Sequence, residues 1–135
     1  MFETKITVVV RDDLAVWQKL NVTAFLASGI AAARPEVIGQ PYVDALGRPH
    51  AALIGQPILV FAAGLDGLRR AYARAREAGL DIAPYIEAMF ATGHDAANRA
   101  VFAAGEADSQ VWAGLALHGP RKAVDKAVKG LKLHG

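Results

Sequence analysis

An α/β fold is predicted by three observations. Lys5 to Val10 is a run rich in β-branched residues that ends sharply at Arg11-Asp12-Asp13. Pro57 to Ala62 and Val111 to Leu117 are further apolar runs of strand length. Between them lie segments with helical periodicity and helix-ending signals. Strands that alternate with helices along the chain indicate a layered α/β sandwich. The 135 residues suit one domain with one sizeable core, and no linker or repeat divides them.

The elements follow in order. Residues 14–19 read as a loop after the first strand. A helix is expected from Asn21 to Ala33, stopped by Pro35. Val22, Phe25, Leu26 and Gly29 share one face. Ala24, Ala27, Ser28 and Ala31 form the other, which carries no charge. A helix without a polar face is normally covered on both sides, so burial under another layer or a second subunit is expected. Tyr42–Asp44 and His50–Leu53 are candidate partners across a turn at Leu46-Gly47-Arg48-Pro49. Gly64 to Ala78 reads as an amphipathic helix with Leu65, Leu68, Tyr72 and Ala75 inward, Arg70 and Arg74 outward, and Gly79 at its C-terminal cap. Ile82 to Glu87 is a third strand, and Pro84 favours an edge position for it. Thr92-Gly-His-Asp95 has the spacing of a capping box for a helix to Ala104. Pro120 to Val128 is the last helix.

Composition excludes several classes. Cysteine is absent, which removes disulfides, thiol catalysis and Cys-ligated metals and fits a cytoplasmic location. Met1–Thr4 leads directly into a strand, so no signal peptide is expected. The uncharged run Leu20 to Ala33 is too short to span a membrane. Walker-type, GxGxxG and GxSxG loops are missing, and no HxH or HExxH pattern occurs. No cofactor and no metal is expected. Net charge is +2 overall, yet residues 120–135 hold five cations, Arg121, Lys122, Lys126, Lys129 and Lys132, against one carboxylate, Asp125. That tail is either a solvated helix face or a contact for RNA or another anion.

VVVRDDL, followed by a helix rich in small residues, resembles the opening of type 2 peptidyl-tRNA hydrolases, the archaeal and eukaryotic kind. LALHGP followed by AVDKAVKGLKL resembles their closing strand and helix, and Gly79-Leu80-Asp81 to Glu87 their third strand. QKLNVTAFLASGIA and the Tyr42–Asp44 segment look closer to an uncharacterised branch that shares this fold. The resemblance covers roughly half of the chain. It implies a three-layer α/β/α sandwich around a four-stranded mixed sheet. It also implies a lysine at the start of the first helix, where this chain reads Asn21, with Lys19 two positions away. An aspartate should end the third strand, where Glu87 stands. A threonine- and glycine-rich segment should follow, but Ala88 to Ser109 replaces it. These departures set peptidyl-tRNA cleavage aside.

The candidate site is built from strand ends, where open α/β sheets place their ligands. Glu87 is a candidate general base. Asn21, with Thr23, either orients a carbonyl or phosphate or caps the first helix. Arg11 and Asp12 line the same edge, with Arg11 able to pair with a carboxylate instead. His118, near the end of the last strand, is the third candidate catalytic group. His94-Asp95 reads as an acid–base pair or as a cap. The expectation is a small cleft protein that binds, and could hydrolyse, an anionic or carbonyl-bearing small molecule. The other reading is a regulatory or RNA-binding module that uses the basic last helix.

Overall fold

The computed structural model describes residues 2–135. Its first strand, β1 (Thr4–Arg11), lies where the β-branched run predicts it. The helix that follows, α1 (Val16–Ala33), begins five residues earlier than expected. Gln18 turns back to accept the Ala15 N–H at 3.0 Å, so the helix opens there and residues 16–19 are helical. Asn21 is therefore inside the helix and caps nothing.

A short hairpin, β2 (Tyr42–Val43) with β3 (Pro49–His50), stands apart from the main sheet. Asp44 ties its turn by accepting the Leu46 and Arg48 N–H groups, and Gly47 supplies the positive φ of +78°. The chain continues through β4 (Ile58–Ala63), α2 (Leu65–Glu77), β5 (Asp81–Ile86), α3 (Asp95–Ala103), β6 (Trp112–Pro120), α4 (Arg121–Ala127) and β7 (Lys132–Leu133). Gly79, at φ +68°, turns the chain out of α2 as anticipated.

Among the described residues the main sheet has five strands in the order β5-β6-β1-β4-β7, not four. The addition is β7, which pairs antiparallel with Phe61 and Ala62 of β4. β1 and β4 are parallel, and β6 is antiparallel to both β1 and β5. β1, β4 and β5 therefore point the same way. β5 is an edge strand whose register shifts near Tyr85, in keeping with Pro84.

Alternation along the strands divides the apolar side chains into two clusters. Ile6, Val8, Val10, Ala113 and Ala116 pack with Val22, Leu26 and Ile30 of α1. Val9, Leu115 and Leu117 pack with Leu68, Ala71 and Ala75 of α2 and Val124 of α4. α1 sits close to the sheet because glycines face it. A Cβ on Gly114 would come within 2.8 Å of Val22, and one on Gly29 within 2.9 Å of Ala83.

The expected near-complete burial of α1 is not found in the single chain. Val22, Leu26 and Ile30 are buried, but Leu20 is 68% exposed and Phe25, expected inward, is 56% exposed. Val22, Leu26 and Gly29 face the sheet as expected; Phe25 lies at the margin of that stripe and turns outward, and Ile30 extends the stripe instead. Ala24 and Ser28 are open to solvent.

Candidate functional site

The sheet topology gathers the C-terminal ends of β1, β4 and β5 on one edge. Arg11, at the end of β1, reaches Glu87 at 2.7 Å and Asp13 at 2.6 Å, and donates to the Trp112 carbonyl at 3.1 Å. Burial opposes the guanidinium charge, but the hydrogen bonds and charges of Asp13 and Glu87 outweigh it and raise the Arg11 pKa. Arg11 and Glu87 thus neutralise one another. Asp12 is exposed, and its backbone N–H donates to Ala63 at 2.9 Å.

Asn21 opens on a different space. It lines a crevice of about 340 Å³ between α1 and the segment after β5, with Phe25, Tyr85, Phe90, Thr92, His94 and Asn98. Glu87 is not among its lining residues. A second hollow of about 430 Å³ shares Phe25, Tyr85 and Asn98 and extends the first toward Pro84 and Phe102. The aromatic rings hold one another. Tyr85 lies 5.3 Å from Phe90 and 6.0 Å from Phe25, and Trp17 meets Phe90 edge-on at 6.0 Å. Burial raises the Tyr85 pKa, so its hydroxyl remains protonated.

Polar groups close one end of this crevice. Thr92 donates to the Met89 carbonyl at 2.9 Å and also meets the Asn98 side-chain oxygen. His94, not Thr92, caps α3; its Nδ1 accepts the Ala97 N–H at 3.2 Å. A neutral ring that accepts at Nδ1 carries its proton on Nε2. The cap reading of His94 therefore holds. Asp95 pairs with Arg99 at 2.7 Å.

The remaining candidates lie elsewhere. Thr23 is inside α1 and donates to the Lys19 carbonyl at 2.7 Å. Lys19 points to His134, with 3.2 Å between Nζ and Nε2, and no ion pair joins it to Glu87 among the described residues. His118 is buried at the far end of the sheet, in register with Ile6 and Asp81. Its Nδ1–H donates to Asp81 at 2.9 Å, and Arg34 clasps the same carboxylate at 2.7 and 3.1 Å. Glu87, Asn21 and His118 therefore do not form one constellation. β6 runs straight through Gly119-Pro120, which pair with Lys5 and Thr4, so His118 is at an interior register rather than a mouth.

Sequence reasoning missed the crevice wall formed by Phe25, Tyr85 and Phe90. Phe25 is expected inward but lies at the margin of the Val22–Leu26 stripe and is exposed, while Tyr85 is buried in the core beside it. On the other side of the sheet, Arg74 of α2 joins Lys126 and Lys129 beside Asp125. Arg74 donates to the Lys129 carbonyl at 3.2 Å. No group of three or more His, Cys, Asp or Glu side chains able to hold a metal occurs among the described residues. No described helix is long and apolar enough to cross a membrane.

Fold and crevice together define a mixed α/β protein with a four-helix, five-strand framework among its described residues. The model of the DUF2000 family, a family of proteins of unknown function, matches residues 4–135, and the chain belongs to that family. A solved structure of a protein of unknown function, Atu0240 from Agrobacterium tumefaciens strain C58, is 54% identical over 100% of both chains, with a TM-score of 0.96. None of the curated proteins is similar to the chain.

Proposed function

We propose that this protein binds a small, uncharged molecule with an aromatic or apolar body and a carbonyl head in the crevice between α1 and α3. The observation that carries this reading is the lining itself. Phe25, Tyr85 and Phe90 offer an apolar wall, and Asn21 faces them with an amide that can both donate and accept. Its volume lies within the usual range for small-molecule sites, about 300–1,000 Å³. Of the two ligand heads expected, the carbonyl is favoured over the anion. Arg11, the cation at the end of β1, is already paired twice, and Arg99 is held by Asp95.

On this reading Asn21 orients the ligand, while Glu87 and Arg11 brace the sheet edge beside it. The two apolar clusters, one on each side of the sheet, support a three-layer α/β/α arrangement akin to that of type 2 peptidyl-tRNA hydrolases. The RNA-binding alternative is less favoured, because Asp125 interrupts the basic surface where α2 meets α4.

The test is a titration of ¹⁵N-labelled protein with N-acetylphenylalaninamide, followed by NMR. Saturable shifts at Asn21, Phe25, Tyr85 and residues 92–98 are expected. Asn21→Ala should weaken binding by about 2- to 10-fold, the worth of a neutral hydrogen bond of roughly 0.5–1.5 kcal/mol. Absence of saturable shifts at millimolar ligand, or shifts confined to the Arg11 edge, defeats the proposal.

A further inference from the structure

On the other flank of α1, away from the aromatic crevice, lies an open hollow of about 480 Å³. Its walls include Val10 of β1, Leu20 and Ala24 of α1 and Val60 of β4. The polar side chains on it are Lys19, Thr23 and His134, and no carboxylate lines it. Thr23 turns its hydroxyl back to the Lys19 carbonyl at 2.7 Å, and both ring nitrogens of His134 are engaged, Nε2 by Lys19 and Nδ1 by the Gly135 oxygen at 2.7 Å, which leaves Lys19 as the side chain able to receive a ligand head.

Lys19 and His134 are both held in place. The backbone after β7 continues the sheet, with the His134 N–H donating to the Val60 carbonyl at 2.9 Å. The imidazole thereby stands over the β4 side of the hollow. Lys19 donates one of its ammonium protons to His134 Nε2 at 3.2 Å. An ammonium has three donors, so two remain for an acceptor at the mouth. An apolar trough bordered by a cation, with no carboxylate side chain on its walls, is complementary to an amphipathic carboxylate.

We propose that this hollow binds a medium-chain carboxylate, its alkyl chain along Val10, Leu20 and Val60 and its carboxylate on Lys19, which His134 positions. The site is separate from the aromatic crevice and does not depend on what that crevice binds. The bound carboxylate accepts from the Lys19 ammonium, which the His134 ring holds at the mouth. Its tail covers Leu20, which the single chain otherwise leaves largely in water.

The probes are octanoate, octan-1-ol and octylamine, titrated into the intact protein by calorimetry and by ¹⁵N NMR. Octanoate should bind tighter than the alcohol, and octylamine should not bind. Shifts should fall on residues near Val10, Leu20, Val60 and His134. Lys19→Met, which keeps the alkyl stem, should weaken octanoate by about tenfold, as expected for a charged hydrogen bond, and leave octan-1-ol unchanged. His134→Gln should weaken octanoate less. The proposal is overturned by equal affinity for octanoate and octan-1-ol, by indifference of octanoate to both substitutions, by failure to bind at millimolar concentration, or by shifts at Phe25, Tyr85 and Asn98 instead.

Discussion

Gly114→Ala tests how α1 is seated on the sheet. Gly114 is a buried strand residue of β6, in register with Val10 on one side and Tyr85 on the other. Its φ is not positive, so alanine meets no backbone strain there. The obstacle is space. A Cβ would lie 2.8 Å from Val22 Cγ1, 3.0 Å from Leu26 Cδ1 and 3.0 Å from the Val9 carbonyl oxygen. Overpacking of this kind costs about 1–3 kcal/mol. The lost freedom of glycine in the unfolded chain returns roughly 0.4–1 kcal/mol. The net loss should be about 1–2 kcal/mol. At this chain length that lowers Tm by roughly 4–8 °C. The assay is thermal and urea unfolding followed by circular dichroism, for Gly114→Ala, Val22→Ala and the double variant. Val22→Ala removes the nearest clashing methyl, so the double variant should lose less than the sum of the single losses, by about 0.5–3 kcal/mol. A Gly114→Ala protein as stable as the parent would refute the close seating of α1, and strict additivity would remove Val22 as its cause.

Acid stability should depend on Arg34. Its hydrogen bonds, against an opposing effect of burial, hold the Asp81 pKa below the ordinary aspartate value. A lowered carboxylate pKa stabilises the fold above the unfolded value, and that contribution is lost as pH falls through the folded value. Arg34→Ala should therefore move acid unfolding to higher pH, and an unchanged acid midpoint speaks against it. Purified protein should not cleave peptidyl-tRNA at enzymatic rates, since Lys19 faces His134 and Glu87 faces Arg11; robust turnover abolished by Lys19→Ala would reverse this reading. The apolar outer side of α1 borders a hollow of about 480 Å³ lined by Ala27, Ala31, Ile38, Leu53 and Ile58. A second copy of the chain seated there should appear in sedimentation velocity as a dimer at micromolar concentration, and a monomer throughout excludes it.

The strands were legible because their apolar runs are short, β-branched and bounded by charge or glycine. Pro84 announced an edge for the same reason that it could not serve an interior ladder. The start of α1 was not legible. Val16, Trp17 and Leu20 are apolar yet exposed, so the first turns lack the alternation that marks an amphipathic helix, and Asn21 looked like a cap. That misreading carries into the site, since it sets Asn21 at a helix end rather than within α1 on the crevice wall. β7 could not be seen either. Lys132–Leu133 form a strand only by pairing with Phe61 and Ala62, about seventy positions earlier, and nothing local signals that. His118 was misplaced because Gly119-Pro120 reads as a break, whereas long-range pairing with β1 keeps the chain extended.

The two residues of β7 also decide how the molecule behaves in company. A sheet with bare outer strands offers unpaired N–H and C=O groups to any extended chain that drifts past. Here β7 occupies Phe61 and Ala62, and His134 takes the Val60 carbonyl. On the other margin Pro84 withholds a donor from β5. Both margins are thus poor templates for strand addition, so encounters between molecules are directed away from the sheet and toward side chains on the helices.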